Sequence, residues 1–130
     1  MKKVILITGA TSGIGYETAA YLANQGNIVY GAGRRVENLE GLKKVKPIQL
    51  DMTDESSMQL VVDTIIETEG RIDVLVNNAG YGSYGAIEDV TIEEAKQQFE
   101  VNVFGLARLT QLVLPHMREQ RSGRIINTSS

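Results

Sequence analysis

The chain has 130 residues, 13 Lys+Arg against 16 Asp+Glu, a formal net charge of −3, 42% hydrophobic residues and 22% charged ones. That is the profile of a folded domain, not of a disordered tail or a basic nucleic-acid binder. No cysteine and a single histidine, His116, argue against disulfide scaffolds, thiolate metal sites and His-rich clusters and suit a reducing compartment.

One soluble, cytoplasmic unit over residues 1–130 is expected, with no metal and no nucleic-acid partner. Met1-Lys2-Lys3 imitates the charged opening of a signal peptide, but the apolar run Val4-Ile5-Leu6-Ile7 stops at Thr8-Gly9. That run is too short for a signal core or a membrane span, so neither a targeting segment nor a membrane partner is expected.

Strand-like and helix-like segments then alternate along the chain. Val4 to Ile7 reads as a buried strand ending in a glycine-rich turn. Ile14, Ala19, Leu22 and Ala23 share a helical face, which Gly26 closes. Ile28-Val29-Tyr30 makes a second strand, expected to stop at Gly31-Ala32-Gly33. A weak helix follows around Val36 to Lys44, then a third strand over Pro47 to Leu50. Thr53 is the predicted N-cap of a helix whose Met58, Val61, Val62, Ile65 and Ile66 recur at helical spacing.

Ile72 to Val76 is the fourth strand. Beyond a glycine-rich loop, Thr91 and Glu94 form a capping box. It opens a long helix with the apolar line Ala95, Phe99, Val103, Leu106, Leu109 and Val113, to be kinked or ended by Pro115. Arg124-Ile125-Ile126 begins a fifth strand. Continuous apolar strands separated by helices imply parallel pairing with helices on both faces. The expected fold is a doubly wound, Rossmann-like α/β sheet of five strands in the order 3-2-1-4-5, by analogy with such sheets.

A literal G-x-G-x-x-G occurs once, at Gly80, Gly82 and Gly85. A dinucleotide turn needs a strand before it and a helix whose free N–H groups receive the pyrophosphate directly after it. Here the next helix starts only at Thr91, so this triplet is a decoy. Thr8-Gly9-Ala10-Thr11-Ser12-Gly13-Ile14-Gly15 follows the first strand and runs straight into the first helix. Gly9 permits the tight turn, Gly13 lets backbone approach a phosphate, and Gly15 allows close helix–strand packing.

That turn resembles the cofactor motif of the short-chain dehydrogenase/reductase family. Asp51 after the third strand, Asn77-Asn78-Ala79-Gly80 after the fourth and Asn102 in the long helix match the same family in order and spacing. Gly123-Arg124-Ile125-Ile126-Asn127-Thr128-Ser129-Ser130 resembles its fifth-strand motif, so the resemblance spans the whole chain. It implies that Gly9, Thr11, Ser12, Gly13, Ile14 and Gly15 cradle a dinucleotide. Asp51, with the backbone of Met52, would read the adenine amine, an apt task for an acceptor-only carboxylate. Asn78, Ala79 and Gly80 would face the cofactor ribose. Asn102 is implied to hold a water in a proton relay, and Ser130 to orient the reacting oxygen and stabilise its charge. Asn127 reads as a strand-end polar filler, and His116 as a cation near a helix end.

Sheets that prefer NAD place an acid after the second strand, whereas NADP readers use a nearby arginine. Gly33 is followed here by Arg34 and Arg35, with no acid, and the planar fork of Arg34 suits a 2′-phosphate. NADP is therefore favoured over NAD.

The family's Tyr-x-x-x-Lys pair is absent: none of Tyr16, Tyr21, Tyr30, Tyr81 and Tyr84 has a lysine four residues on. The sequence thus reads as the N-terminal half of an oxidoreductase that moves hydride between nicotinamide and a carbonyl or alcohol, inactive alone. An uncovered fifth strand and the long helix predict self-association into a homo-oligomer. The competing readings are a non-catalytic nucleotide-binding or redox-sensing module, and a sugar-nucleotide epimerase. Asn102 and Ser130 speak against the first, and the spacing of Gly9, Gly13 and Gly15 speaks against the second.

Overall fold

The computed structural model describes residues 2–11, 13–78 and 91–128. Strands β1 (Val4–Thr8), β2 (Ile28–Gly33), β3 (Val45–Gln49), β4 (Val74–Asn77) and β5 (Arg124–Asn127) form one sheet. Its order is β3-β2-β1-β4-β5 and every neighbouring pair is parallel. Helices α1 (Gly13–Asn24), α2 (Glu55–Glu69), α3 (Ile92–Phe99) and α4 (Leu106–Gln120) carry the crossovers.

The unbroken apolar run of β1 is explained by two cores. Successive strand residues point to opposite faces. Val4 and Leu6 therefore pack with Val62 and Ile65 of α2 and Leu109 and Val113 of α4. Ile5 and Ile7 pack on the other face with Ala19 and Ala23 of α1 and with Leu39.

Several boundaries differ from the sequence expectation, each for a physical reason. β2 does not stop at Tyr30 but runs on to Gly33, pairing Gly31 with Ile7 on one side and Pro47 on the other. A Cβ on Gly31 would sit 3.0 Å from Val45 Cγ1 and 3.1 Å from Leu39 Cδ1, so this glycine serves close packing, not a turn. β3 begins at Val45 and tolerates Pro47 because it is an edge strand. The weak helix reduces to a 3-10 turn over Val36–Leu39 without a side-chain cap, anchored by buried Leu39.

Asp54, not Thr53, caps α2: its carboxylate accepts from Ser56 N and Ser57 N. Thr53 instead donates to Asp51 Oδ1 through both its N–H and its hydroxyl. β4 begins two residues later than expected, at Val74, and ends on Asn77.

The long helix divides in two. Thr91 Oγ1 accepts from Glu94 N and opens α3, a π-helical turn spans Glu100–Gly105, and α4 continues to Gln120 through Pro115. A π turn advances the chain out of the 3.6-residue period. The residues before and after it therefore do not share one face. Leu109, Val113 and Met117 are buried, whereas Phe99 is 61% exposed and Val103 also faces solvent.

At the far end of the sheet the Gln120 amide clamps Ile72, donating to its carbonyl and accepting from its N–H, both at 3.0 Å. Among the described residues no helix is long and apolar enough to cross a membrane.

Candidate functional site

Strand order reverses between β1 and β4, and a crevice opens at the carboxyl ends of such strands. Three segments are tied together there. Thr8 Oγ1 accepts from Asn78 N at 2.9 Å and lies 3.4 Å from Val76 O as donor. The Asn78 amide donates to Gly9 O at 3.4 Å, and its Oδ1 accepts from Thr128 Oγ1 at 2.9 Å. Thr8, the turn after β1, the end of β4 and the end of β5 thus form one polar weave at the top of the sheet.

The glycines of the first turn have distinct tasks. Gly9 and Gly13 have φ of 65° and 58°, the left-handed region that favours glycine. A Cβ on Gly13 would meet nothing within 4 Å, so the space above it is open. Gly15 is the opposite case. A Cβ there would overlap Gly9 O and lie 2.6 Å from Asn78 Nδ2 and 2.9 Å from Gly9 C. Absence of a side chain at Gly15 lets α1 start against the turn. That start carries no acidic residue in its first turn, and Ile14 beside it is exposed. A helix N-terminus so placed offers free N–H groups and positive potential to an anion.

A second group lies at the ends of β2 and β3. Arg34 Nη2 is 3.5 Å from Asp51 Oδ1, with the two side chains 59% and 43% exposed. The Thr53 hydroxyl, then the Thr53 N–H, hold the Asp51 carboxyl below its ordinary value; the nearby Arg34 charge adds to this and partial burial opposes it. All these donors fall on Oδ1. Asp51 N donates to Ser57 Oγ at 2.9 Å, fixing the loop to α2. Together with Ser57 and Leu60 of α2, Arg34 and Asp51 line an open cleft. Met52 is buried, and a Cβ on Gly105 would lie 2.5 Å from Met52 O. The last residue of the π turn therefore packs directly on the Asp51-Met52 loop.

Asn77, at the end of β4, is buried and spans the top of β5. Its Nδ2 donates to Asn127 Oδ1 at 2.9 Å and to Thr110 Oγ1 at 3.2 Å. Thr128 N donates to Asn77 O, and Thr128 Oγ1 lies 3.3 Å from the same carbonyl. Asn127, read from sequence as filler, is thus a partner of the strand-end amide.

Gly9, Thr11, Gly13, Ile14, Gly15 and Asn78 gather at the first turn, and Arg34, Asp51 and Met52 at the second group. Asn102 falls within the π turn; its side chain lies outside the described residues, as do Ser12, Ala79, Gly80 and Ser130 and the decoy glycines 82 and 85. The sequence reading passed over Thr8, Gly105, Thr110 and Thr128. Thr8 and Thr128 sat inside quoted motifs, but only the pairing of β1 with β4 and of β4 with β5 brings their hydroxyls to Asn78. Gly105 carried no local signal.

A family model described as short chain dehydrogenase matches residues 3–130. The chain belongs to the short-chain dehydrogenase family. It is 47% identical over 128 residues to a 3-ketodihydrosphingosine reductase of Bacteroides thetaiotaomicron, an alignment covering 98% of this chain and 47% of that protein. A short-chain dehydrogenase from Streptomyces avermitilis superposes with a TM-score of 0.93 at 43% identity, covering 100% of this chain and 50% of the other. An actinorhodin polyketide ketoreductase solved with NADPH superposes at 0.90 with 34% identity, covering 99% and 53%. The chain spans about half the length of the curated relatives it matches. As in its short-chain dehydrogenase relatives of known structure, the described elements build a Rossmann-like sheet.

Proposed function

We propose that this chain is the cofactor-holding part of a short-chain oxidoreductase that acts on a carbonyl or alcohol, and that it takes NADP in preference to NAD. The observation that carries this reading is the close approach of three segments at the switch point between β1 and β4. There Gly15 brings α1 against Gly9 and Asn78, beneath the open space over Gly13. The donor set fits a dinucleotide. The turn of Gly9, Thr11, Ser12, Gly13, Ile14 and Gly15 would take the pyrophosphate, and Asn78, Ala79 and Gly80 the nicotinamide-side ribose. Oδ2 of Asp51 carries none of the described hydrogen bonds, all of which fall on Oδ1, and would accept from the adenine amine beside Met52. Arg34 would turn from Asp51 to a 2′-phosphate.

Bound nicotinamide supplies the hydride chemistry. On the protein side, the Ser130 hydroxyl would orient the reacting oxygen and stabilise charge on it, and Asn102 would hold a water that relays a proton. Since no tyrosine has a lysine four residues on, the 130 residues are expected to bind nucleotide without turning substrate over. The reading places the protein in the cytoplasm.

Calorimetric titration with both nucleotides tests the cofactor assignment. NADP+ should bind more tightly than NAD+. Arg34→Ala should weaken NADP+ by about tenfold, the worth of one charge-assisted hydrogen-bonded pair, with NAD+ hardly changed. Tighter NAD+ binding by the unsubstituted chain would sink the assignment.

A second copy of this chain is the expected partner. Phe99 and Phe104 are each 61% exposed on the α3 and π-turn surface, and Ile126 is exposed on the edge strand β5; such surface favours association. Light scattering should return a mass above that of the 14.2 kDa chain, and a stable monomer at high concentration contradicts this.

A further inference from the structure

We propose that the Thr11 side chain determines nucleotide specificity through residue 33, apart from any part the Thr11 backbone takes in the phosphate turn. Its methyl group fills the space at the end of β2 that an acidic side chain at residue 33 needs in order to reach a ribose 2′-hydroxyl. The inference rests on the cofactor reading above and adds to it: Arg34 attracts the 2′-phosphate, and Thr11 blocks the side chain that would serve the competing nucleotide.

The geometry begins with the backbone. Ala10 N donates to Ala32 O at 3.1 Å, which ties the first turn to β2 and lays the next residue, Thr11, against Gly33. On its other side Gly33 is held by Leu50 N, which donates to Gly33 O at 3.0 Å. Gly33 is not among the glycines with positive φ, so its backbone conformation admits any side chain. The available room does not. A Cβ on Gly33 would lie 2.6 Å from Thr11 Cγ2, 3.3 Å from Thr11 Oγ1 and 3.5 Å from Thr11 Cβ.

Rotation of Thr11 gives limited relief. A β-branched side chain fills two of its three staggered positions, so two of three rotamers leave a heavy atom in the blocked spot. Gly33 cannot retreat either, being fastened to both Leu50 and the strand ladder. Thr11 therefore hinders any side chain at 33 in two of its three rotamers, and packing adds to charge in disfavouring an acid there. A serine at 11 with its hydroxyl where Oγ1 now lies would clear the 2.6 Å contact.

The test uses the full chain in four forms: unsubstituted, Thr11→Ser, Gly33→Asp and the double substitution. Calorimetry reads NAD+ and NADP+ affinity, and thermal melting reads the collision without any nucleotide. Gly33→Asp alone should melt lower than the unsubstituted chain and leave NAD+ affinity within about twofold of it, because the carboxylate cannot settle. Adding Thr11→Ser should recover most of the melting temperature. It should also tighten NAD+ by about tenfold over Gly33→Asp alone, the worth of a charged hydrogen bond to a ribose hydroxyl.

The inference is overturned if Gly33→Asp alone gains as much NAD+ affinity as the double form, or if the two substitutions shift the melting temperature additively. Tighter binding of NAD+ than NADP+ by the unsubstituted chain would defeat the cofactor reading instead. In that case the non-additivity of melting still decides whether Thr11 blocks position 33.

Discussion

Gly15→Ala is expected to abolish nucleotide binding and to lower the melting temperature by roughly 10 °C. The new Cβ would overlap Gly9 O and approach Asn78 Nδ2 to 2.6 Å and Gly9 C to 2.9 Å. Two of these three neighbours are backbone atoms of a turn whose own residue, Gly9, sits at φ 65°, so the turn cannot yield without losing its shape. Overpacking of this kind costs about 3 kcal/mol. Relief requires α1 to slide away from the ends of β1 and β4, which breaks the Asn78 contact to Gly9 and moves the helix N-terminus off the crevice. Circular dichroism melting and nucleotide calorimetry measure the two effects. Gly26→Ala serves as the control. A Cβ on Gly26 meets nothing within 4 Å, so its cost is confined to the φ of 93° and nucleotide affinity should hold.

Asp73→Ala is expected to destabilise the fold by about 2 kcal/mol and to remove part of its acid sensitivity. Asp73, just before β4, is 7% exposed. Its Oδ2 accepts from Val4 N at 2.8 Å, its Oδ1 pairs with the Arg71 guanidinium, and its backbone joins Val4 and Arg124. Alanine leaves the buried Val4 N–H without its acceptor, whereas Asp73→Asn keeps an acceptor and should cost less.

Burial pushes the Asp73 carboxyl up. The Arg71 hydrogen bond, the Val4 amide and the charges of Arg71 and Lys3 outweigh it and hold the group below its ordinary 3.8. A carboxyl depressed in the folded state stabilises fully above its unfolded value and loses that contribution as pH falls through the folded value. Glu69 behaves alike, lowered by the Tyr30 hydroxyl and then by Lys46 from an ordinary 4.5. Melting temperature should therefore fall as pH drops below 4.5, and Asp73→Asn should show the shallower fall below 3.8. Parallel curves for Asp73→Asn and the unsubstituted chain would remove Asp73 from the account.

The limits of sequence reading are visible at particular residues. Val4 to Ile7 announced a strand buried on both faces, and Met58, Val61, Val62 and Ile65 announced the buried stripe of α2, because burial side is written locally in residue order. The apolar line from Ala95 to Val113 misled, since it assumed one helical period across the π turn of Glu100–Gly105. Thr53 misled as a cap because Asp54, one residue on, supplies the acceptor for Ser56 N and Ser57 N. Gly31 looked like a strand stop, although its small size serves Val45 and Leu39 across the sheet.

For the candidate site the division is similar. By itself the sequence determined the alternation of strands and helices and the glycine turn of Gly9, Gly13 and Gly15 that leads from β1 into α1, because strand, turn and helix signals there are consecutive; the strand order came by analogy with doubly wound sheets. Only the tertiary structure decided which distant side chains meet. It set Arg34 beside Asp51, Thr128 on Asn78, Asn127 on Asn77, Gly105 on Met52 and Thr11 over Gly33. These pairs are fixed by strand register and by the ångström-scale approach of loops from different crossovers, quantities that no local pattern of residues carries.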